Sequence, residues 1–350
     1  MNRLSPTSNI YASVVGAALW VSTLNSSAHA ITFTGEPIFS DVNLYSTVID
    51  NDPTDIYFPV ISDTSASLPI ALMLQGALVD KANYSNYASI VASYGFAVVV
   101  PNHKRTLFGP TGPVTGLFPE QGQVQAALDF MARQNQQPTS PLNNLLDTDT
   151  LGLLGHSFGG AVGIASVQEI CFFPLCTDDN YNVPNALKAG IFYGTNFDLG
   201  SDIGTPPINN QVPTGYILGA LDDVAKPATT VEAFLNTLNP PKVLVEVEGA
   251  NHYGITNEDS FRDPSRPTLD QTIATNTIGR WSGLFLRAHV LDDQAAFNYV
   301  YAVGDRLDSR VTVSSVKTPE PSAVTGGFAA AVMLAGWLRL SAIAHRRRRG

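Results

Sequence analysis

Thr150-Leu151-Gly152-Leu153-Leu154-Gly155-His156-Ser157-Phe158-Gly159-Gly160-Ala161 decides how the rest of the chain is read. The apolar run Leu151 to Leu154 suits a strand buried on both faces. It leads into Gly155-His156-Ser157-Phe158-Gly159, and small residues continue through Gly160, Ala161, Gly163 and Ala165, as a helix packed closely on that strand would need. The spacing Gly-x-Ser-x-Gly puts Ser157 at a sharp strand-to-helix turn. Only residues without bulk at Gly155 and Gly159 let strand and helix come close enough to hold the serine strained, with its oxygen exposed. The helix N-terminus, including the Phe158 backbone N–H, then aims positive charge where an oxyanion would form. Ser157 is the candidate nucleophile and Phe158 the first candidate oxyanion donor.

Working outward, residues 31–68 hold polar, Asp- and Pro-punctuated short strands, expected at an antiparallel sheet edge. Residues 68–74 and 96–101 are continuous apolar runs, predicted as buried strands, with a helix between them over residues 84–94 that ends at Gly95. Residues 102–118 are rich in Gly and Pro and are predicted as a long loop, followed by a helix over 119–135 and a polar linker over 136–148. Beyond the elbow, strands are predicted at 189–193, 214–218 and 243–247, with helices at 229–238 and 269–290. This alternation predicts an α/β fold: a mostly parallel central sheet with helices on both faces.

Function in such a sheet gathers at the carboxyl ends of the strands. After the strand ending at Leu218 come Asp222 and Asp223, and after the strand ending at Val247 comes His252. A serine hydroxyl is a weak nucleophile until an imidazole takes its proton, and the imidazole needs a buried carboxylate to fix its tautomer. His252 is the candidate base and Asp222 its orienter. Asp223 is the rival, with Asp222 preferred because Val224 could then tuck the turn into the core. The turn after residues 68–74, Gln75-Gly76-Ala77, supplies the second oxyanion donor, assigned to the Ala77 N–H. His103 precedes the serine and is read as structural or substrate-side, and His156 as packing.

The two ends point out of the cytoplasm. Residues 1–30 carry Arg3, an apolar stretch and Ala28-His29-Ala30, the layout of a secretory leader; a membrane anchor is the alternative. Residues 318–350 contain Pro319-Glu320-Pro321, an apolar segment long enough to span a bilayer, and Arg346 to Arg349. The body over residues 31–317 is expected to be one domain. Discarding residues 1–30 and 322–350 removes six of the twenty basic residues and none of the thirty acids, leaving a balance of −16. Such a body has no basic patch for nucleic acid. Cys171 and Cys176, the chain's two cysteines, are predicted to form a local disulfide in an oxidising compartment, with two free thiols as the alternative. Neither a metal site nor a cofactor is expected.

Gln75-Gly76, the run Val91-Ala92-Ser93-Tyr94-Gly95-Phe96-Ala97-Val98-Val99-Val100-Pro101, and Gly155 to Gly160 together resemble the chlorophyllase branch of the α/β-hydrolases. They are also similar to dienelactone-hydrolase-like and cutinase-like esterases. The order Ser, Asp, His agrees with that fold. Plant chlorophyllases carry Arg at the place of Phe158 and His-Gly at that of Gln75-Gly76, differences that bear on substrate and not on the Ser-His-Asp set. The resemblance implies a secreted serine carboxylic-ester hydrolase without cofactor, acting on a hydrophobic ester. The substrate is expected to be the phytyl ester of chlorophyll, or alternatively a polyester or acyl ester. A non-catalytic surface-binding protein on the same fold is the other class. The tail resembles the PEP-CTERM sorting signal. That implies transient membrane insertion, a sorting protease acting near Pro-Glu-Pro, and an exported, monomeric body in the periplasm or at the cell surface; an ordinary tail anchor is the alternative.

Overall fold

The structure is a computed structural model that describes residues 33–61, 67–109, 112–177, 181–198, 200 and 204–317. The expected leader and sorting tail lie outside the described residues.

The first two strands, β1 (Val42–Ile49) and β2 (Asp52–Pro59), pair antiparallel and form one edge of the sheet. β3 (Leu68–Leu74) follows, then α1 (Ser85–Ser93), β4 (Ala97–Pro101), the pair β5 (Lys104–Gly109) and β6 (Gly112–Leu117), and α2 (Gly122–Gln136). Then come β7 (Leu146–His156), α3 (Phe158–Gln168), β8 (Leu187–Tyr193), β9 (Thr214–Gly219), α4 (Pro227–Asn236), β10 (Lys242–Val247), α5 (Gln271–Val290) and β11 (Val311–Val316). Among the described residues one nine-stranded sheet runs β1-β2-β4-β3-β7-β8-β9-β10-β11. From β4 to β10 the neighbours are parallel, and β11 closes the far edge antiparallel to β10.

Side chains alternate across the sheet as the period of two requires. Ala71 and Met73 of β3, with Val98 and Val100 of β4, join a core that includes Tyr87 and Val91 of α1 and Ile278, Trp281 and Phe285 of α5. Ile70, Leu72 and Leu74, with Ala97 and Val99, face the other core, with Val124 and Met131 of α2, Val162 and Ile164 of α3 and Phe234 of α4. Each fully buried large side chain contributes about 1.5–3 kcal/mol, so two covered faces explain why the central strands read as unbroken apolar runs.

Two expectations need correction, and one strand is added. Residues 102–118 are not a loop: β5 and β6 form an antiparallel pair, with Thr106 opposite Thr115 and their hydroxyls 2.7 Å apart. Its glycines, which suggested a loop, have a packing reason at Gly116, where a Cβ would collide with the Leu78 side chain. The linker predicted over 136–148 ends early, since β7 already pairs with β3 at Leu146 and Asp147 before a register shift. The edge strand β11 is the addition: Val311 and Val313 alternate as a strand requires, in a segment too short and polar to stand out in the sequence. The expected disulfide joins Cys171 to Cys176, with their Cα atoms 5.3 Å apart. Among the described residues no helix is long and apolar enough to cross a membrane.

Candidate active site

Ser157 sits between β7 and α3 with φ 54° and ψ −118°, a posture costing a non-glycine residue about 1–3 kcal/mol. The neighbouring glycines explain how it is enforced. A Cβ on Gly155 would come within 2.8 Å of the Gly159 carbonyl, and one on Gly159 would run into the Leu74 carbonyl of β3. Strand, serine and helix therefore touch backbone to backbone, leaving the serine no relaxed alternative. Its own N–H donates to the Tyr193 carbonyl at the end of β8, 2.9 Å away.

Asp222 and His252 arrive from the ends of β9 and β10. The His252 Nδ1–H donates to Asp222 Oδ2 at 2.8 Å, with both residues almost fully buried. In the neutral ring that bond keeps the proton on Nδ1 and makes Nε2 the acceptor. Asp222 Oδ1 takes the N–H groups of Val224 (2.9 Å) and Ala225 (2.8 Å). Burial pushes its carboxyl above the ordinary carboxylate range, opposed by the bond from His252 and by these two amides. Gly194 makes room for the pair: at φ +52°, a Cβ there would sit 2.9 Å from Asp222 Oδ2 and 3.1 Å from His252 Nδ1.

Asp223 does not join this pair. Its Oδ2 accepts the Ser265 hydroxyl at 2.6 Å on the surface. The reason offered for preferring Asp222 fails, because Val224 is 44% exposed; Ala225 is the residue that turns inward. His252 is anchored at its backbone too, its N–H on Asp263 Oδ2 (2.9 Å) and its carbonyl on His156 Nε2 (3.0 Å). Among the described residues, no hydrogen bond joins Ser157 Oγ to His252. His156, the residue before the serine, packs its ring against that of His252, with centroids 4.7 Å apart.

The Ala77 and Phe158 N–H groups make no hydrogen bond among the described residues, whereas the Gly76 N–H is taken by Tyr84 Oη at 2.8 Å. Ala77 is further held by Arg262, whose guanidinium donates to its carbonyl at 2.9 Å. Arg262 and Tyr84 went unrecognised in the sequence. Tyr84 falls at core spacing, and Arg262 stands 185 positions from the loop it grips, so no local pattern announces it. His103 is far from idle: Nδ1 bonds Asp52 Oδ2 at 2.8 Å, and Nε2 lies 3.4 Å from Glu120 Oε1. Among the described residues no cluster of His, Cys, Asp and Glu is arranged to hold a metal ion.

Comparison with known proteins agrees with this architecture. A family model described as PET hydrolase-like matches residues 34–171, a stretch holding β3, the Gln75-Gly76-Ala77 turn and the elbow but not Asp222 or His252. Cutinase est2 of Thermobifida alba is 25% identical over 243 residues, covering 68% of this chain. The chain spans 64% of the length of that relative. Strand order, elbow and these similarities together identify the α/β-hydrolase fold.

Proposed function

We propose that the chain is a serine carboxylic-ester hydrolase with Ser157 as nucleophile, His252 as base and Asp222 as its orienter. The observation that carries this reading is the strained Ser157 at the strand-to-helix turn, together with the buried hydrogen-bonded pair of His252 and Asp222 at the ends of later strands of the same sheet. Ser157 Oγ attacks the ester carbonyl carbon while its proton passes to His252 Nε2. The carbonyl oxygen, now an oxyanion, is met by the Ala77 and Phe158 N–H groups, each contributing about 3–4 kcal/mol in such sites. Collapse expels the alcohol, which takes the proton from His252. Water then enters by the same base, and the acid leaves Ser157.

The comparisons favour the cutinase-like alternative over the phytyl ester of chlorophyll, because the matching family model is described as PET hydrolase-like and the relative is named a cutinase. Apolar side chains beside the elbow and the Gly76 turn support an apolar ester: Phe118 meets Phe158 edge to face at 6.2 Å, and Leu78, next to Ala77, is half exposed. An exported enzyme agrees with the disulfide. The test is an organophosphonate probe together with short- and long-chain p-nitrophenyl esters, a polyester film and a chlorophyll panel. Labelling at Ser157 with faster turnover of film than of pigment is expected. No labelling and no turnover of any ester would leave the non-catalytic binder standing.

A further inference from the structure

His156 is wholly buried between the elbow and the Gly76 turn, and both its ring nitrogens are engaged. Nε2 faces the His252 carbonyl at 3.0 Å, and a carbonyl only accepts, so Nε2 carries the proton. Nδ1 is then a bare acceptor, 2.8 Å from Tyr84 Oη, which must be the donor. Tyr84 Oη in turn accepts from the Gly76 N–H at 2.8 Å. Each bond fixes the direction of the next, and the chain runs one way: Gly76 N–H to Tyr84, Tyr84 O–H to His156, His156 N–H to the His252 carbonyl. Burial keeps the Tyr84 phenol protonated and, with the charge His252 can carry, holds His156 well below its ordinary range, so the chain stays neutral. Gly76 is shaped to it, because a Cβ there would lie 2.7 Å from His156 Nδ1.

We propose that Tyr84 and His156 are positioning residues of the same reaction: a hydrogen-bonded strut under the elbow that sets the Ala77 N–H, Ser157 and the His252 ring relative to one another. The inference rests on the ester-hydrolase reading. The strut consumes the Gly76 N–H, which leaves the amide of Ala77 to face an oxyanion, and it fixes the carbonyl of His252 while Asp222 fixes the ring. A residue that merely filled space could be replaced by phenylalanine at either position. A strut could not, since its function is in the polar atoms.

The experiment has two arms. Nitrogen-15 spectra of the wild-type histidines are expected to show His156 as the neutral Nε2–H tautomer between about pH 5 and pH 8; an Nδ1–H tautomer, or titration in that interval, overturns the proposal. On p-nitrophenyl butyrate, Tyr84→Phe and His156→Phe are expected to lower kcat about ten- to hundredfold, as small misplacements of reacting groups do, with KM moving less than about threefold. His156→Gln, whose amide can still donate to the His252 carbonyl, is expected to retain about tenfold more kcat than His156→Phe. Melting temperatures of the variants separate misfolding from misplacement. Phenylalanine variants within about threefold of wild type, or a loss confined to KM, overturn the proposal. A wild type that neither turns over ester nor takes the phosphonate overturns the enzymatic reading, while the histidine spectrum still decides whether the strut exists.

Discussion

The elbow around Ser157 and the corner built from His103, Arg105 and Glu120 both sit where a strand ends, yet opposite physics holds them. At the elbow the restraint is steric: glycine backbone against backbone, and a neutral, fully buried His156. At the corner it is charge. Arg105 donates from Nε to the Phe118 carbonyl at 2.9 Å, from its second amine to the Pro119 and Pro174 carbonyls, and pairs with Glu120 at 3.2 Å, tying the β5–β6 pair to the disulfide loop. Burial works against the His103 charge, but its hydrogen bond to Asp52 and the Glu120 carboxylate outweigh it and hold the imidazole up at about 9. Glu120, held by His103, against its own burial, and by Thr177 and Arg105, is pulled down to about 2. The same residue type, histidine, is thus kept neutral in one place and charged in the other, which teaches that surroundings and not identity set its role.

The largest break in the comparison is at the elbow. Ser157→Ala is expected to cut kcat/KM on a p-nitrophenyl ester by about 10⁴-fold or more; a loss under tenfold would move the nucleophile elsewhere. Next, Asp222→Asn should lower kcat by about 10²- to 10⁴-fold by upsetting the His252 tautomer, whereas Asp223→Asn should stay within about threefold. Comparable losses in the two would mean that the buried pair does not orient the base. Steric restraint is probed by Gly159→Ala, expected to cost about 3 kcal/mol because backbone and not a flexible side chain must yield; denaturant unfolding reads it directly.

The smallest effect belongs to the corner, and there the sign depends on pH. His103, raised above its ordinary 6.5, contributes fully below that value and loses its contribution as pH rises through about 9. Glu120, depressed from 4.5, contributes fully above that value and loses its contribution as pH falls toward about 2. The difference in melting temperature between wild type and His103→Gln should therefore be greatest between pH 4.5 and 6.5, a few degrees, and shrink toward pH 9. The same subtraction applied to Gly159→Ala should give a flat line. A flat line for His103→Gln would remove the distinction between the two regions.

The comparison also explains what was legible in the sequence. The elbow could be read because steric restraint is local: Gly155, Ser157 and Gly159 lie within five positions and can be satisfied only by small residues. The strands β3, β4 and β7 to β10 were readable because burial on both faces leaves continuous apolar runs. The corner was not, because Asp52, His103, Glu120 and Pro174 are far apart along the chain, and charged residues near a Pro-Gly-rich stretch look like an ordinary surface loop. Asp222 was preferred over Asp223 on a reason that the exposed Val224 does not support; what separates the two is the bond from His252 to Asp222, which no local pattern of residues reveals. Tyr84 was visible as an apolar ring at core spacing, while its hydroxyl, the part that links Gly76 to His156, was not.

Among the described residues β7 is the fifth of the sheet's nine strands, with four on either side. Its amides can be released only by parting the sheet through its middle, so they should be among the last to exchange with deuterated solvent, close to the limit set by global unfolding. The serine at its end is thereby denied the small, frequent openings through which loops relieve unfavourable backbone angles. Whatever the molecule does at that hydroxyl, it does with a tense residue mounted where the scaffold yields least.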